Sequence, residues 1–184
     1  MENQSRGGGI MSVKSIILLV AAAVLASVGA LVAQSEESIS GFSPYVFGTT
    51  LGTLQEQYDL HYDTLHQDHG PTYTAPNTTV GGDEYEVRLG FQDDILHHIS
   101  LTRWIEGSSS QFQCETEFNN ILGAVQARYG PPDADPLVRG IAGVRSLEVR
   151  FTRSDLSQIR ILAASTGICL ISVDYSAGSQ ESTF

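Results

Sequence analysis

A repeated string constrains the fold of this chain more than any other feature of its sequence. Residues 47–58 read FGTTLGTLQEQY and residues 118–129 read FNNILGAVQARY. The matching letters keep a constant offset of 71 positions and are Phe47, Leu51, Gly52, Gln55 and Tyr58 in the first string and Phe118, Leu122, Gly123, Gln126 and Tyr129 in the second. A string that recurs within one short chain indicates two structural repeats.

The repeat continues beyond these strings. Residues 85–91 (YEVRLGF) and 147–153 (LEVRFTR) share Glu-Val-Arg at an offset of 62, and a second strand-like segment follows each of them. We therefore predict two units, 41–107 and 108–175, each a helix followed by antiparallel strands joined by hairpins, and a flexible tail over 176–184. Because either unit alone is too small to bury much surface, we expect the two to share one sheet. The predicted class is α+β, with the helices packed on one face of the sheet and the other face open to water.

This order of elements resembles a known group of modules. A helix that begins near Gly-Thr-Thr, a helix that ends on Tyr129-Gly130-Pro131 and a following meander of strands are similar to the SmpA/OmlA-type and β-lactamase-inhibitor-protein-like modules. The resemblance implies an exported, non-catalytic interaction module, and it does not imply inhibition of a β-lactamase. The cysteines do not repeat, since Ser43 and Gly107 occupy the matching positions of the first unit.

The N-terminal segment indicates export. Residues 11–33 (MSVKSIILLVAAAVLASVGALVA) place one lysine before an apolar run that ends in small residues, which is the layout of a secretory signal peptide. We predict that residues 1–33 are this signal peptide and that the protein is periplasmic or secreted. The alternative is an uncleaved N-terminal anchor, because the uncharged run over 15–35 reaches the roughly 20 residues that span a bilayer. Only that alternative would give the protein a membrane contact.

Charge excludes one class of partner. Without residues 1–33 the chain holds eight Arg, no Lys and twenty Asp plus Glu, a net charge of −12. Binding to nucleic acid requires a basic surface that neutralises phosphates. We therefore expect no nucleic-acid partner.

The two cysteines are predicted to form a disulfide. Helical spacing places one cysteine on the apolar face of the second helix, together with Phe118, Ile121, Leu122, Val125 and Tyr129. Alternation in ICLISVDY places the other on the core face of the last strand. If that helix packs on that strand, Cys114 and Cys169 face each other, and the oxidising compartment of an exported protein favours their bond. Two buried free thiols are the alternative.

A histidine-rich segment, DLHYDTLHQDHG (59–70), supplies weak candidates for a metal site, namely His61, His66 and His69. Three imidazoles suit zinc or copper, but this spacing matches no established motif. An exported metal-binding protein is therefore the alternative function. A small secreted enzyme of unknown class ranks third, because the sequence contains no nucleophile elbow, phosphate-binding loop or zinc-protease motif. We assign no catalytic residue and no cofactor.

The open face of the predicted sheet is the main functional candidate. Alternation directs Arg88, His98, Trp104, Arg150 and Arg160 away from the core. With three-residue hairpin loops, Arg88 would lie beside His98 and Arg150 beside Arg160. Like charges directly opposite each other are destabilising unless they are neutralised, and Glu86 and Glu148 on the same strands could neutralise them. Alternatively the five residues contact a protein partner in the export compartment, since Trp and Arg dominate interface hot spots.

Overall fold

The computed structural model describes residues 39–107, 110–141 and 143–178, so the predicted signal peptide and residues 179–184 of the predicted tail lie outside it. Within these ranges the chain forms helices α1 (Leu51–Gln57) and α2 (Ser110–Tyr129) and ten strands. The strands are β1 (Gly41–Phe42), β2 (Tyr45–Val46), β3 (His61–Asp63), β4 (Thr72–Val80), β5 (Asp83–Gln92), β6 (Ile95–Ile105), β7 (Leu137–Ile141), β8 (Val144–Thr152), β9 (Gln158–Ser165) and β10 (Cys169–Ser176). The predicted α+β class is confirmed.

Eight of these strands form one antiparallel sheet in the order β3-β4-β5-β6-β10-β9-β8-β7, and β1 and β2 pair separately. The two units therefore share a sheet, as expected. The strands with matching sequences take equivalent places on the two sides of β10. Strands β6 and β9 lie directly beside it, and β5 and β8 are the next strands on each side. The last strand in the described ranges thus occupies the middle of the sheet. Its final residue is Ser176, and Ala177 N then donates a hydrogen bond to the His97 carbonyl at 2.8 Å.

Strict alternation along the central strands creates the core face of the sheet. The pleat directs every second side chain to the same side. These inward residues are all buried and are Tyr85, Val87, Leu89 and Phe91 on β5, Ile171, Val173 and Tyr175 on β10, and Ile159, Ile161 and Ala163 on β9. Helix α2 packs on this face, mainly against β9 and β10, and buries Cys114, Phe118 and Val125. Helix α1 contributes one buried residue, Leu54.

Helix α1 is much shorter than the repeated string suggests. It begins after Thr50, whose side chain accepts a hydrogen bond from Thr53 N at 3.3 Å, so Thr50 is an N-cap. The preceding residues are held instead by the β5–β6 hairpin, since Gly48 N donates to the Leu96 carbonyl at 3.0 Å and the Thr49 carbonyl accepts from Leu96 N at 2.9 Å. Residues 118–129, by contrast, lie wholly within α2. The two matching strings therefore have different structures over their first four residues.

The register of the β5–β6 hairpin corrects one prediction. The turn has two residues, Asp93 and Asp94, with φ of 50° and 62°, and a bulge shifts the register between the pairs Phe91–Leu96 and Gly90–His98. Positive φ at both central positions is the signature of a type I′ turn. Arg88 consequently pairs with Ser100 and not with His98. In the second unit, Arg150 does pair with Arg160.

The predicted disulfide is present. Cys114 on α2 and Cys169 on β10 are joined with an S–S distance of 2.07 Å, and both cysteines are buried in the core. The bond fixes the longer helix to the central strand across a sequence separation of 55 residues. Closing a loop of this length restricts the unfolded chain, which stabilises the fold by about 4 kcal/mol in the chain-entropy model.

We predict that the Cys114→Ala, Cys169→Ala double variant unfolds at a clearly lower urea midpoint than the oxidised wild type. The expected loss in the free energy of unfolding is about 2–4 kcal/mol, because the unfolded ensemble is no longer restricted. Reduced wild-type protein is the control and should unfold near the midpoint of the variant. Equal midpoints for the oxidised wild type and the variant would contradict a stabilising role of the bond.

Candidate functional site

The open face of the sheet, meaning the side opposite α2, carries a row of polar residues across five strands. Arg88 on β5 pairs with Ser100 on β6, Ser100 with Asp174 on β10, Asp174 with Arg160 on β9, and Arg160 with Arg150 on β8. We call these five residues the central row. Neighbouring strands in a sheet lie about 4.8 Å apart, so the row extends about 19 Å across the face.

The two facing arginines of the central row share one carboxylate. Glu148 Oε1 lies 2.8 Å from Arg150 Nη2 and 3.2 Å from Arg160 Nε, and Asp174 Oδ2 lies 3.8 Å from Arg160 Nη1. Burial alone would raise the pKa of Glu148, but the hydrogen bond from Arg150 and the charge of Arg160 outweigh it and lower this pKa. Glu148 therefore stays ionised, which removes the repulsion expected between the two guanidinium groups.

Arg88 has its own pair of carboxylates. Its Nη2 lies 2.7 Å from Glu86 Oε1, and its Nε lies 3.3 Å from Asp63 Oδ2 without the alignment of a hydrogen bond. Asp63 also accepts from Leu65 N at 2.8 Å, which lowers its pKa, as does the hydrogen bond from His66. The contacts of Arg88, Arg150 and Arg160 thus match the alternative in which acidic neighbours neutralise the arginines.

His98 lies on the open face, as predicted, but it is only 7% exposed. The loop after β3 folds back over it, so that the His69 ring stacks on the His98 ring with centroids 3.9 Å apart. Gly90 permits this approach, because a Cβ there would lie 3.1 Å from His98 Cβ and 3.3 Å from the His69 carbonyl oxygen. Burial, together with the nearby His69, lowers the pKa of His98 to about 4, against the opposing charge of Asp174. His98 is therefore neutral near pH 7.

The three metal candidates contact different groups. His61 Nε2 lies 3.3 Å from Asp59, and His66 Nδ1 lies 2.9 Å from Asp63 Oδ2. His69 is engaged with His98 instead. Within the ranges that the structure describes, no group of three or more His, Cys, Asp or Glu residues is placed to hold a metal ion.

Trp104 lies on the open face near the end of β6 and is 60% exposed. It pairs with Leu170 on β10, and Leu170 pairs with Ala164 on β9. Leu162 lies two residues from Ala164 and so faces the same side. We call Trp104, Leu170, Ala164 and Leu162 the Trp104 patch. The open face is therefore divided into an apolar end and a charged central row, which lies four residues away along β6.

Sequence reasoning located this face but missed two of its features. The stack of His69 on His98 had one sequence signal, a glycine in the interior of a strand, which often marks a close approach of another backbone. The apolar neighbours of Trp104 could be found only once β10 was placed beside β6. That pairing joins the last strand of one unit to the last strand of the other.

Comparison with known proteins adds no relative. No protein-family model, no curated protein and no solved structure matches the chain. The resemblance to SmpA/OmlA-type and β-lactamase-inhibitor-protein-like modules therefore stays a prediction. Neither of the helices in the described ranges is long and apolar enough to cross a membrane.

We predict that His98 makes the fold less stable as pH falls from about 6.5 to about 4. The unfolded chain binds a proton on this histidine below its usual pKa of 6.5, whereas the folded chain resists protonation down to a pKa of about 4. The contribution lost over this window is on the order of 2–3 kcal/mol.

Urea unfolding of wild type and His98→Gln at pH 7.5 and pH 4.5 measures this effect. The variant should lose less stability between the two pH values than the wild type, while protonation of carboxylates that are paired in the fold weakens both proteins in acid. His61→Gln, the same substitution at an exposed histidine, is the matched control. Identical losses in wild type and His98→Gln would contradict the assignment.

Proposed function

We propose that this chain is an exported, non-catalytic module that binds a protein partner through the open face of its sheet. The observation that carries the proposal is Trp104, the only tryptophan of the chain, which is 60% exposed on a strand in the interior of the sheet. A large exposed aromatic side chain beside other apolar groups is favoured where a partner covers it. Trp is also the residue type most enriched in the centres of interfaces.

Within this proposal the Trp104 patch is the anchor and the central row is its polar border. Arg88, Arg150 and Arg160 already contact acidic side chains of their own sheet. A partner would have to compete with these contacts, so the arginines contribute less to affinity than to orientation and to the rate of association. His98 is covered by His69 and contacts the partner only if the loop moves.

Export is the second part of the proposal. Residues 1–33 have the layout of a signal peptide, and the buried disulfide suits an oxidising compartment, either the periplasm or the exterior. The metal-binding alternative is not carried forward, because His66 and His69 have other contacts and His61 lies beside Asp59 alone.

Intact-mass measurement of the protein recovered from its native host tests export. We expect a species that begins after about residue 33, because the small residues at the end of the apolar run form the cleavage site. Reduction should add about 2 Da, as one disulfide opens. A full-length chain that remains with the membrane fraction would instead support the N-terminal anchor.

Site-specific photo-crosslinking tests the binding face. A photoreactive amino acid replaces Trp104 in one protein and Phe112 in another, since Phe112 is 75% exposed on α2 and so serves as a matched position on the opposite side. We expect a discrete adduct with an envelope protein from position 104 and none from position 112. The partner captured in this way is then purified, and its binding to the chain is measured directly.

The purified partner should bind the wild-type chain and shift the fluorescence of Trp104. Trp104→Ala should weaken binding at least about tenfold, since hot-spot truncations cost 1–2 kcal/mol or more. Arg150→Glu should mainly slow association and change its salt dependence. Equal adducts from both positions, or unchanged affinity of a folded Trp104→Ala protein, would overturn the proposal.

A further inference from the structure

A cavity of about 220 Å³ lies on the helix side of the sheet, away from the open face. Its walls come from the C-terminal half of α2, from the inward residues of β5, β6 and β10, and from β1. The aliphatic part of the lining consists of Val80, Leu101, Ile121, Ala124, Val125 and Val173. Four aromatic rings also line the cavity, those of Phe42, Tyr85, Tyr129 and Tyr175.

The unequal helices of the two units explain why space remains here. Helix α2 packs mainly against β9 and β10, in the second unit, whereas α1 has only seven residues and buries only Leu54. Helix α2 makes fewer contacts with β6 than with β9 and β10, and Tyr85 on β5 reaches it through a hydrogen bond from its hydroxyl to Glu117 Oε1 at 2.5 Å. Phe42 on β1 closes the gap in part, with its ring 5.8 Å from that of Tyr175. The cavity lies where the helical layer is incomplete.

The polar groups in the lining of the cavity include the guanidinium of Arg128 and the hydroxyl groups of Ser43, Tyr85, Tyr129 and Tyr175. Tyr175 is buried, and burial together with the neighbouring Tyr129 raises its pKa, while Arg128 acts in the opposite direction. Its hydroxyl is therefore neutral at all physiological pH values and can donate or accept a hydrogen bond. Arg128 also lines the cavity, with its guanidinium 5.0 Å from the centre of the Tyr129 ring. Ligand pockets typically combine such an apolar lining with a small number of convergent polar groups.

Size and shape restrict the class of ligand. An engineered apolar cavity of about 150 Å³ holds benzene, and drug-sized ligands need about 300 Å³ or more. A cavity between these limits accommodates one aromatic ring with a substituent, or two fused rings. Aromatic walls favour an aromatic guest, because rings gain from edge-to-face and offset contacts.

We infer that this cavity binds a small aromatic molecule, of the size of a substituted phenol or an indole, with its hydroxyl or N–H group near Tyr175 and Arg128. The site lies on the opposite side of the sheet from the Trp104 patch, so it is independent of the protein-binding function proposed above. Ala124 on α2 lines the cavity and is exposed, so it lies at the rim.

Titration of the purified protein with p-cresol and with indole, followed by methyl NMR, tests the site. We expect saturable shifts, with a Kd of about 1 mM or below, at the methyl groups of Ile121, Val125, Leu101 and Val173. Ala124→Phe should close the rim and weaken binding at least about tenfold. Ala164→Phe, the same substitution on the open face, is the matched control and should bind like the wild type.

Ile121→Trp provides a second means of filling the cavity, in case Ala124→Phe leaves a path for the ligand, and it should also reduce binding about tenfold or more. Trp104→Ala should bind both probes normally, which separates this inference from the proposed function. Absence of saturable shifts up to about 5 mM probe would overturn the inference. Wild-type affinity in both Ala124→Phe and Ile121→Trp would also overturn it. The same holds if nuclear Overhauser contacts show that residues 1–38 or 179–184 of the chain already occupy the site.

Discussion

Pairing between β6 and β10 is the interaction on which the rest of the structure depends. These strands are the last of their respective units, and they pair over eight positions, from Ser176 with His98 to Cys169 with Ile105. Neither four-stranded half buries enough surface alone, and this one ladder turns the two halves into a single sheet with a continuous core. Pairing of β6 with β10 closes a long loop of the chain, and other contacts must offset the conformational entropy that is lost. The disulfide lowers that entropic cost, because it attaches Cys169, the first residue of β10, to α2.

The parts of the fold that depend on local periodicity could be predicted from the sequence. Alternation placed Cys169 on the core face of the last strand, and helical spacing placed Phe118 on the buried face of α2, which packs mainly against β9 and β10. The two periods put each cysteine on the buried side of its own element, so they predicted the bond between Cys114 and Cys169 on the condition that the helix packs on the last strand. Local periodicity also fixed Trp104 on the open face, where it is exposed.

The parts that depend on backbone dihedral angles or on long-range contacts could not be predicted. Whether Arg88 lies beside His98 or Ser100 is decided by the two positive φ angles at Asp93 and Asp94 and by the bulge that follows. The same sequence is also compatible with a longer hairpin loop, which would set a different register. The length of α1 depends on the N-cap at Thr50, which the matching string of the second unit does not share. The position of His69 depends on a loop with no hydrophobic period, and this position decides the environment of His98.

The distribution of charge distinguishes two stages of recognition by the proposed module. On the open face, Arg88, Arg150 and Arg160 are balanced by acidic neighbours, so the net charge of −12 on residues 34–184 arises mainly on the other surfaces. At distances beyond about 10 Å a partner therefore experiences an acidic molecule, and a basic partner would be attracted in a salt-dependent manner. In contact, however, it meets a locally neutral surface with an exposed tryptophan at one end. Affinity would then depend on the Trp104 patch, while the acidic remainder of the molecule would govern the rate of encounter.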